Sequence, residues 1–220
     1  MVRPALLFDL DGTLLDTDPV HLKIFVEMFA ERGRDIDKAF YLHQIHGRLN
    51  ADMFSEHFPN EDAQALSDQK EATFRTRLGS DFPAMAGAPA FIRQARRGGW
   101  ATAVVTNAPR ANAEAMLAAI GLGEEFDTVV IGDECARGKP HPDPYSTAIV
   151  RLGSSPDRAI AFEDSPSGLA SARAAGAFVI GVRSSLDDAD LRAAGAQETI
   201  GDFTDPALPG FLDRLTGARS

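Results

Sequence analysis

Beyond residue 100 the chain alternates between two patterns. Short apolar runs bounded by polar breaks stand at Ala101–Val105, Thr128–Ile131, Ala159–Phe162 and Ala177–Val182. Between and after them lie stretches at residues 109–120, 142–152, 166–175 and 187–194, all but the second Ala-rich and each suited to a helix. Strands that alternate with helices imply βαβ units and a parallel sheet. One more apolar run, Ala5–Phe8, is long enough for a buried strand but lies far upstream of the others.

The stretch from 18 to 84 carries no strand pattern and reads as helical. Asp18 followed by Pro19 fits an N-cap with proline at the first helical position. Val20, Ile24, Phe25, Met28 and Phe29 then form an apolar stripe, and Gly33 can close the helix. Asn60 can cap a second long helix with Ala63, Leu66, Thr73 and Phe74 on one side. Pro83 to Pro89, with Gly87 between, reads as a linker back into the sheet. The expected organisation is an α/β core of residues 1–17 and 85–220, interrupted just after its first strand by a helical insert of residues 18–84. A weak last helix is expected near 207–215.

Composition narrows the partners. The 220 residues are 44% hydrophobic and 25% charged, an ordinary globular mix. A formal net charge of −10 disfavours nucleic acid and anionic membranes. Cys135 is the only cysteine, which excludes an intrachain disulfide and fits a reducing compartment. Met1-Val2-Arg3-Pro4 lacks the apolar core of a signal peptide, and no apolar run approaches the ~18 residues of a membrane span. The expectation is a cytoplasmic protein, monomeric or weakly dimeric.

The candidate chemistry gathers where apolar runs end. After Ala5–Phe8 come Asp9-Leu10-Asp11-Gly12-Thr13, two carboxylates one residue apart and then a turn. Alternate side chains of a strand share a face, so Asp9 and Asp11 point the same way, at the carboxyl end where open α/β sheets bind ligands. Two acids held together favour a bound cation or a retained proton. The plainer reading is a turn, since Asp and Gly are common after strands. Val104-Val105-Thr106-Asn107 ends a second run with a hydroxyl and an amide, which can donate to a phosphoryl oxygen or cap a helix. Gly138-Lys139-Pro140-His141-Pro142-Asp143-Pro144 sets a compact cation in a proline-stiffened loop. Phe162-Glu163-Asp164-Ser165-Pro166-Ser167-Gly168 ends another run with two acids, and Ser165 can also cap the next helix.

These four phrases, in this order, resemble the four motifs of the haloacid-dehalogenase-like (HAD) phosphohydrolases, and the resemblance spans nearly the whole chain. It implies a Rossmann-like parallel sheet with helices on both faces and an inserted helical cap. It implies Asp9 as the nucleophile on phosphorus and Asp11 as general acid and base. Thr106 and Lys139 would stabilise charge on the phosphoryl group, with Asn107 a further donor to substrate. Mg2+ would be held by Asp9, Asp164 and the backbone carbonyl of Asp11, with Glu163 reaching it through water. Asp11 favours phosphoryl transfer, because true haloacid dehalogenases lack this second aspartate. In the insert, His21 and Lys70 match positions that related sugar-phosphate mutases use near the substrate. Gly47 lies in His46-Gly47-Arg48-Leu49-Asn50, which resembles the family's substrate-specificity loop. The mutases carry arginine where this chain has Asn50, and Arg48 is a neighbouring cation that could substitute. The resemblance implies a phosphatase of small phosphorylated metabolites, sugar phosphates foremost, with a phosphomutase of the β-phosphoglucomutase type as the alternative.

Overall fold

Ala5-Leu6-Leu7-Phe8 has no polar side chain to offer water, and it forms an inner strand of the sheet. The computed structural model describes residues 2–45, 48 and 50–216. Its six strands are β1 (Ala5–Phe8), β2 (Ala101–Thr106), β3 (Thr128–Ile131), β4 (Ala159–Glu163), β5 (Phe178–Val182) and β6 (Glu198–Ile200). They lie in the order β3-β2-β1-β4-β5-β6, every neighbouring pair parallel. This is the Rossmann-like α/β fold expected from the sequence. The chain divides into two compact units, one running up to Asp16 and resuming at Asp81, the other Thr17–Ser80. The boundaries fall one residue before and four residues before the expected ones.

The inserted unit holds α1 (Asp18–Ala30), α2 (Lys38–Phe40) with a π-turn at Tyr41–Ile45, α3 (Asn50–His57) and α4 (Ala63–Leu78). Thr17, not Asp18, holds the cap position of α1, and Pro19 lies in its first turn. Asp62, not Asn60, caps α4, accepting from the N–H groups of Gln64 and Ala65. The buried stripe of α4 is Leu66, Lys70, Phe74 and Leu78, spaced by four, while the expected Ala63 and Thr73 are only partly buried. Helix α3 was not foreseen, because it is short and lacks an apolar stripe longer than Met53-Phe54.

The other unit adds α5 (Ala88–Arg97), α6 (Arg110–Ala119), α7 (Asp143–Arg151), α8 (Pro166–Ala174), α9 (Asp188–Ala194) and α10 (Leu208–Thr216). Helix α5 starts inside the expected linker, and β6, three residues long, was not expected at all. The two faces of the sheet are filled differently. On one, Phe8 stacks on Phe162 at 5.0 Å between ring centroids, and Phe91 and Phe203 close around them. Burying each such ring is worth about 2 kcal/mol, so the cluster anchors that face. On the other, Ala5, Ala103, Ala159 and Ala161 present small side chains in the cluster that holds Tyr145 and Leu169. Small residues let α7 and α8 approach closely, which brings Tyr145 under the carboxyl ends of the strands. No helix among the described residues is long and apolar enough to cross a membrane.

Candidate active site

The ladder that holds β1 continues one step past it: the Asp9 N–H donates to the Phe162 carbonyl at 3.0 Å. That bond sets Asp9 beside Glu163, the last residue of the neighbouring strand, and Asp164 just after it. Lys139 Nζ donates to Asp9 Oδ1 and to Glu163 Oε1, both at 2.6 Å. Glu163 is completely buried and has both oxygens engaged. Tyr145 Oη donates to Oε1 at 2.8 Å, while the Ser165 N–H and Oγ reach Oε2 at 3.3 and 3.1 Å. Asp164 is held on its other side by Thr13 Oγ1 at 3.4 Å and by the hydroxyls of Ser185 and Ser184 at 3.2 and 3.4 Å.

The turn after β1 is shaped for this approach. Gly12 has φ +82°, and a Cβ there would stand 2.1 Å from Asp164 Oδ2. The tight turn also fixes Asp11: the Gly12 N–H donates to the Leu15 carbonyl at 2.7 Å, and Asp11 bridges to Leu15. Asp11 is partly exposed, and its charge is felt at Asp164.

Electrostatics follow from the crowding. Burial pushes the Asp9 carboxyl up, the Lys139 ammonium pulls it back and Glu163 raises it again, leaving it pushed up to about 7. Burial, then the charges of Asp9, Glu163 and Asp11, holds Asp164 well above the usual carboxylate range. Burial alone would lower Lys139, but Asp9 and Glu163 outweigh it and hold the ammonium above its ordinary value. Burial, with the charges of Glu163 and Asp9, also pushes the Tyr145 phenol up, so it stays a donor. Asp9, Glu163 and Asp164 offer oxygens that all lie within 4.8 Å of one another. Three buried carboxylates thus crowd together, and two of them, Asp9 and Glu163, share the Lys139 ammonium. That oxygen-rich set suits a hard divalent cation such as Mg2+, which would neutralise it.

The second strand's end closes the site. Thr106 Oγ1 accepts from the Ala108 N–H at 3.0 Å, which leaves its own proton to donate elsewhere. Asn107 grips the Lys139 backbone from both sides: its Nδ2 donates to the Lys139 carbonyl and its Oδ1 accepts from the Lys139 N–H, each at 3.1 Å. These two bonds use one of the two amide hydrogens of Asn107.

The sequence profile of the haloacid dehalogenase-like hydrolases matches residues 6–182, a span that takes in Asp9, Asp11, Thr106, Asn107, Lys139, Glu163 and Asp164. The chain belongs to that family. This hydrolase is 36% identical to protein CbbY of Rhodobacter capsulatus over 193 residues, covering 82% of this chain and 85% of that one. It is 32% identical to the fructose-1-phosphate phosphatase YqaB of Escherichia coli K12 over 183 residues, covering 81% and 96%. A HAD hydrolase of family IA, variant 3, from Entamoeba histolytica HM-1:IMSS superposes with a TM-score of 0.86 at 29% identity, covering 97% of this chain and 100% of that one.

Of the core residues read from this hydrolase's sequence, Asp9, Lys139, Glu163 and Asp164 meet directly, and Asn107 joins them through the Lys139 backbone. Four supporting groups were missed. Thr13 belongs to the first motif but had been given no role. Ser184 and Ser185 follow a strand end, the same positional signal that marked the acids. Tyr145 carried no signal beyond lying six residues after Lys139.

The expected insert residues belong to their own unit. His21 stacks on Phe74 at 4.4 Å between ring centroids. Lys70 is buried, not solvated: its ammonium lies over the rings of Phe25 and Phe74 and donates to Glu71 Oε1 at 2.9 Å. Asn50 Nδ2 donates to the same Glu71 oxygen. Arg48 is exposed and pairs with Glu56 at 2.7 Å. Gly47 lies outside the described residues.

Proposed function

We propose that this hydrolase is a divalent-cation-dependent phosphatase of small phosphorylated metabolites, sugar phosphates foremost, working through an aspartyl-phosphate on Asp9. The observation that carries the reading is the buried ammonium of Lys139 held 2.6 Å from both Asp9 and Glu163, in a carboxylate cluster that Asp164 completes. Lysine there restrains a nucleophilic carboxylate and offsets charge as phosphorus approaches. The phosphatase named among the relatives acts, by its name, on a sugar phosphate.

In this reading an oxygen of Asp9 attacks phosphorus. The bond from phosphorus to the leaving alcohol breaks as Asp11 gives that oxygen its proton. Water then attacks the phosphorus of the aspartyl-phosphate, Asp11 takes the proton back, and inorganic phosphate leaves with Asp9 restored. Lys139 and the Thr106 hydroxyl stabilise the phosphoryl oxygens, and Asn107 adds its remaining amide hydrogen. Asp9, Asp164 and the Asp11 carbonyl would hold the cation, with Glu163, fully engaged by protein donors, contributing only through water. A bound Mg2+ supplies further offset of the negative charge on the transferring group. Residues 18–84 act as a cap that admits substrate and excludes bulk water.

Hydrolysis is favoured over phosphomutase chemistry by the insert's charges. A mutase must grip a second phosphate, which calls for an unpaired cation. Here Asn50 replaces the arginine, Glu71 answers Lys70 and Glu56 answers Arg48. The test is phosphate release from a panel of sugar phosphates with Mg2+, beside a coupled assay for isomerised sugar phosphate. Free phosphate with wild-type protein and none with Asp9→Asn is expected. Primer-stimulated isomerisation faster than phosphate release would overturn the reading.

A further inference from the structure

Asp9 Oδ1 and Glu163 Oε1 compete for the Lys139 ammonium at equal distances of 2.6 Å. A lysine stem is flexible, and an ammonium between two carboxylates can collapse onto either one. Something must weaken the pull of Glu163. Its Oε2 is occupied by the Ser165 N–H and hydroxyl. Its Oε1, the oxygen that faces the lysine, takes a second donor from Tyr145 Oη at 2.8 Å. The carboxylate cannot turn away: a Cβ at Gly168 would lie 1.8 Å from Oε1, so α8 stands against it. Tyr145 also meets the lysine itself, its ring centroid 5.3 Å from Nζ. The ring is fully buried on the alanine-lined face of the sheet, so the hydroxyl has a fixed position.

We propose that Tyr145 is a positioning residue for phosphoryl transfer: its hydroxyl takes up part of the charge on Glu163 Oε1 and so leaves the Lys139 ammonium shared with Asp9. It acts through Glu163 and Lys139, not on the substrate. The proposal rests on the phosphatase reading above. A hydrogen bond from a phenol withdraws charge from the carboxylate oxygen that accepts it. Without that bond Glu163 holds the lysine more strongly, and the ammonium withdraws from Asp9 and from the phosphoryl group forming on it. The order of the chain serves this arrangement. Lys139 lies in the loop before α7 and Tyr145 in the first turn of α7, so one helix start delivers both.

The discriminating variant is Tyr145→Phe, which keeps the ring and its packing and deletes one donor. A hydrogen bond to a charged group is worth enough for kcat to fall about tenfold, with KM changed by less than about twofold. Combined with Glu163→Gln, the same change should add less than about a further twofold, because its target is gone. A purely structural role would instead multiply the two losses. A crystal structure of the Phe variant should show Lys139 Nζ drawn towards Glu163 and away from Asp9. Wild-type kcat in the Phe variant, or multiplied losses in the double variant, would overturn the proposal. If the wild-type protein hydrolyses no phosphate ester, the phosphatase reading fails, and the crystal structure alone decides Tyr145. An ammonium still shared equally in the Phe variant then overturns the positioning role, and a displaced one supports it.

Discussion

Replacing Lys139 by methionine removes a charge and little else, since methionine nearly matches the length of the lysine stem. The side chains involved leave water no way to take over: Lys139 is 3% exposed, Asp9 10% and Glu163 0%. Removing one partner of a buried ion pair costs about 3–5 kcal/mol, and here two carboxylates are stranded. Protonation can recover part of that cost. The Asp9 carboxyl, pushed up to about 7 even with the lysine present, must rise further without it. An acid whose folded pKa lies above its unfolded one gives stability that is present at low pH and lost as pH rises through the folded value. The variant should therefore lose little near pH 5 and about 3–5 kcal/mol by pH 8. For a chain of this size that is a fall in Tm of about 10 °C at the higher pH. Urea and thermal unfolding with chelator present, at pH 5, 6.5 and 8, measure this directly. A loss that is the same at every pH, or below about 1 kcal/mol at pH 8, would refute the role of Lys139 as the counter-ion.

Three further outcomes are expected. Asp9 must shed its proton to bind a cation, so Mg2+ should raise Tm more at pH 8 than at pH 5.5; equal shifts would count against Asp9 as a ligand. Asp11→Asn should slow phospho-enzyme formation in single turnover far more for an alkyl sugar phosphate than for p-nitrophenyl phosphate, whose leaving group needs little protonation; equal losses would remove Asp11 as the acid. Gly12→Ala forces a Cβ into the left-handed region and into Asp164, so titration calorimetry should show cation affinity weakened at least about tenfold. Unchanged affinity would mean that Asp164 does not need its present position.

The sheet was legible because its strands are buried on both faces and read as plain apolar runs, and because Ala-rich helices separate them. β6 escaped because three residues at a sheet edge make too short a run. α5 escaped because Gly87 and Pro89, at its start, also signal a linker. In the insert, Lys70 occupies a core position between Leu66 and Phe74, so apolar periodicity alone misplaced the buried stripe of α4. The acids of the site were legible because each ends an apolar run. β1 stops at Phe8, however, so Asp11 is placed by the Gly12 turn and not by strand alternation. Tyr145, Thr13, Ser184 and Ser185 were not legible as a group. They come together only through the third dimension, around Glu163 and Asp164.

The most direct test of the central claim is to catch the phosphoryl group on the protein. Substrate mixed with excess enzyme, quenched within one turnover and reduced with borohydride, converts an aspartyl-phosphate to homoserine, which peptide mass spectrometry locates. Homoserine at Asp9, absent in unreacted protein and in Asp9→Asn, is the expected result. Phosphate released in the same turnover with no modification at Asp9, or with the modification at another carboxylate, would contradict it.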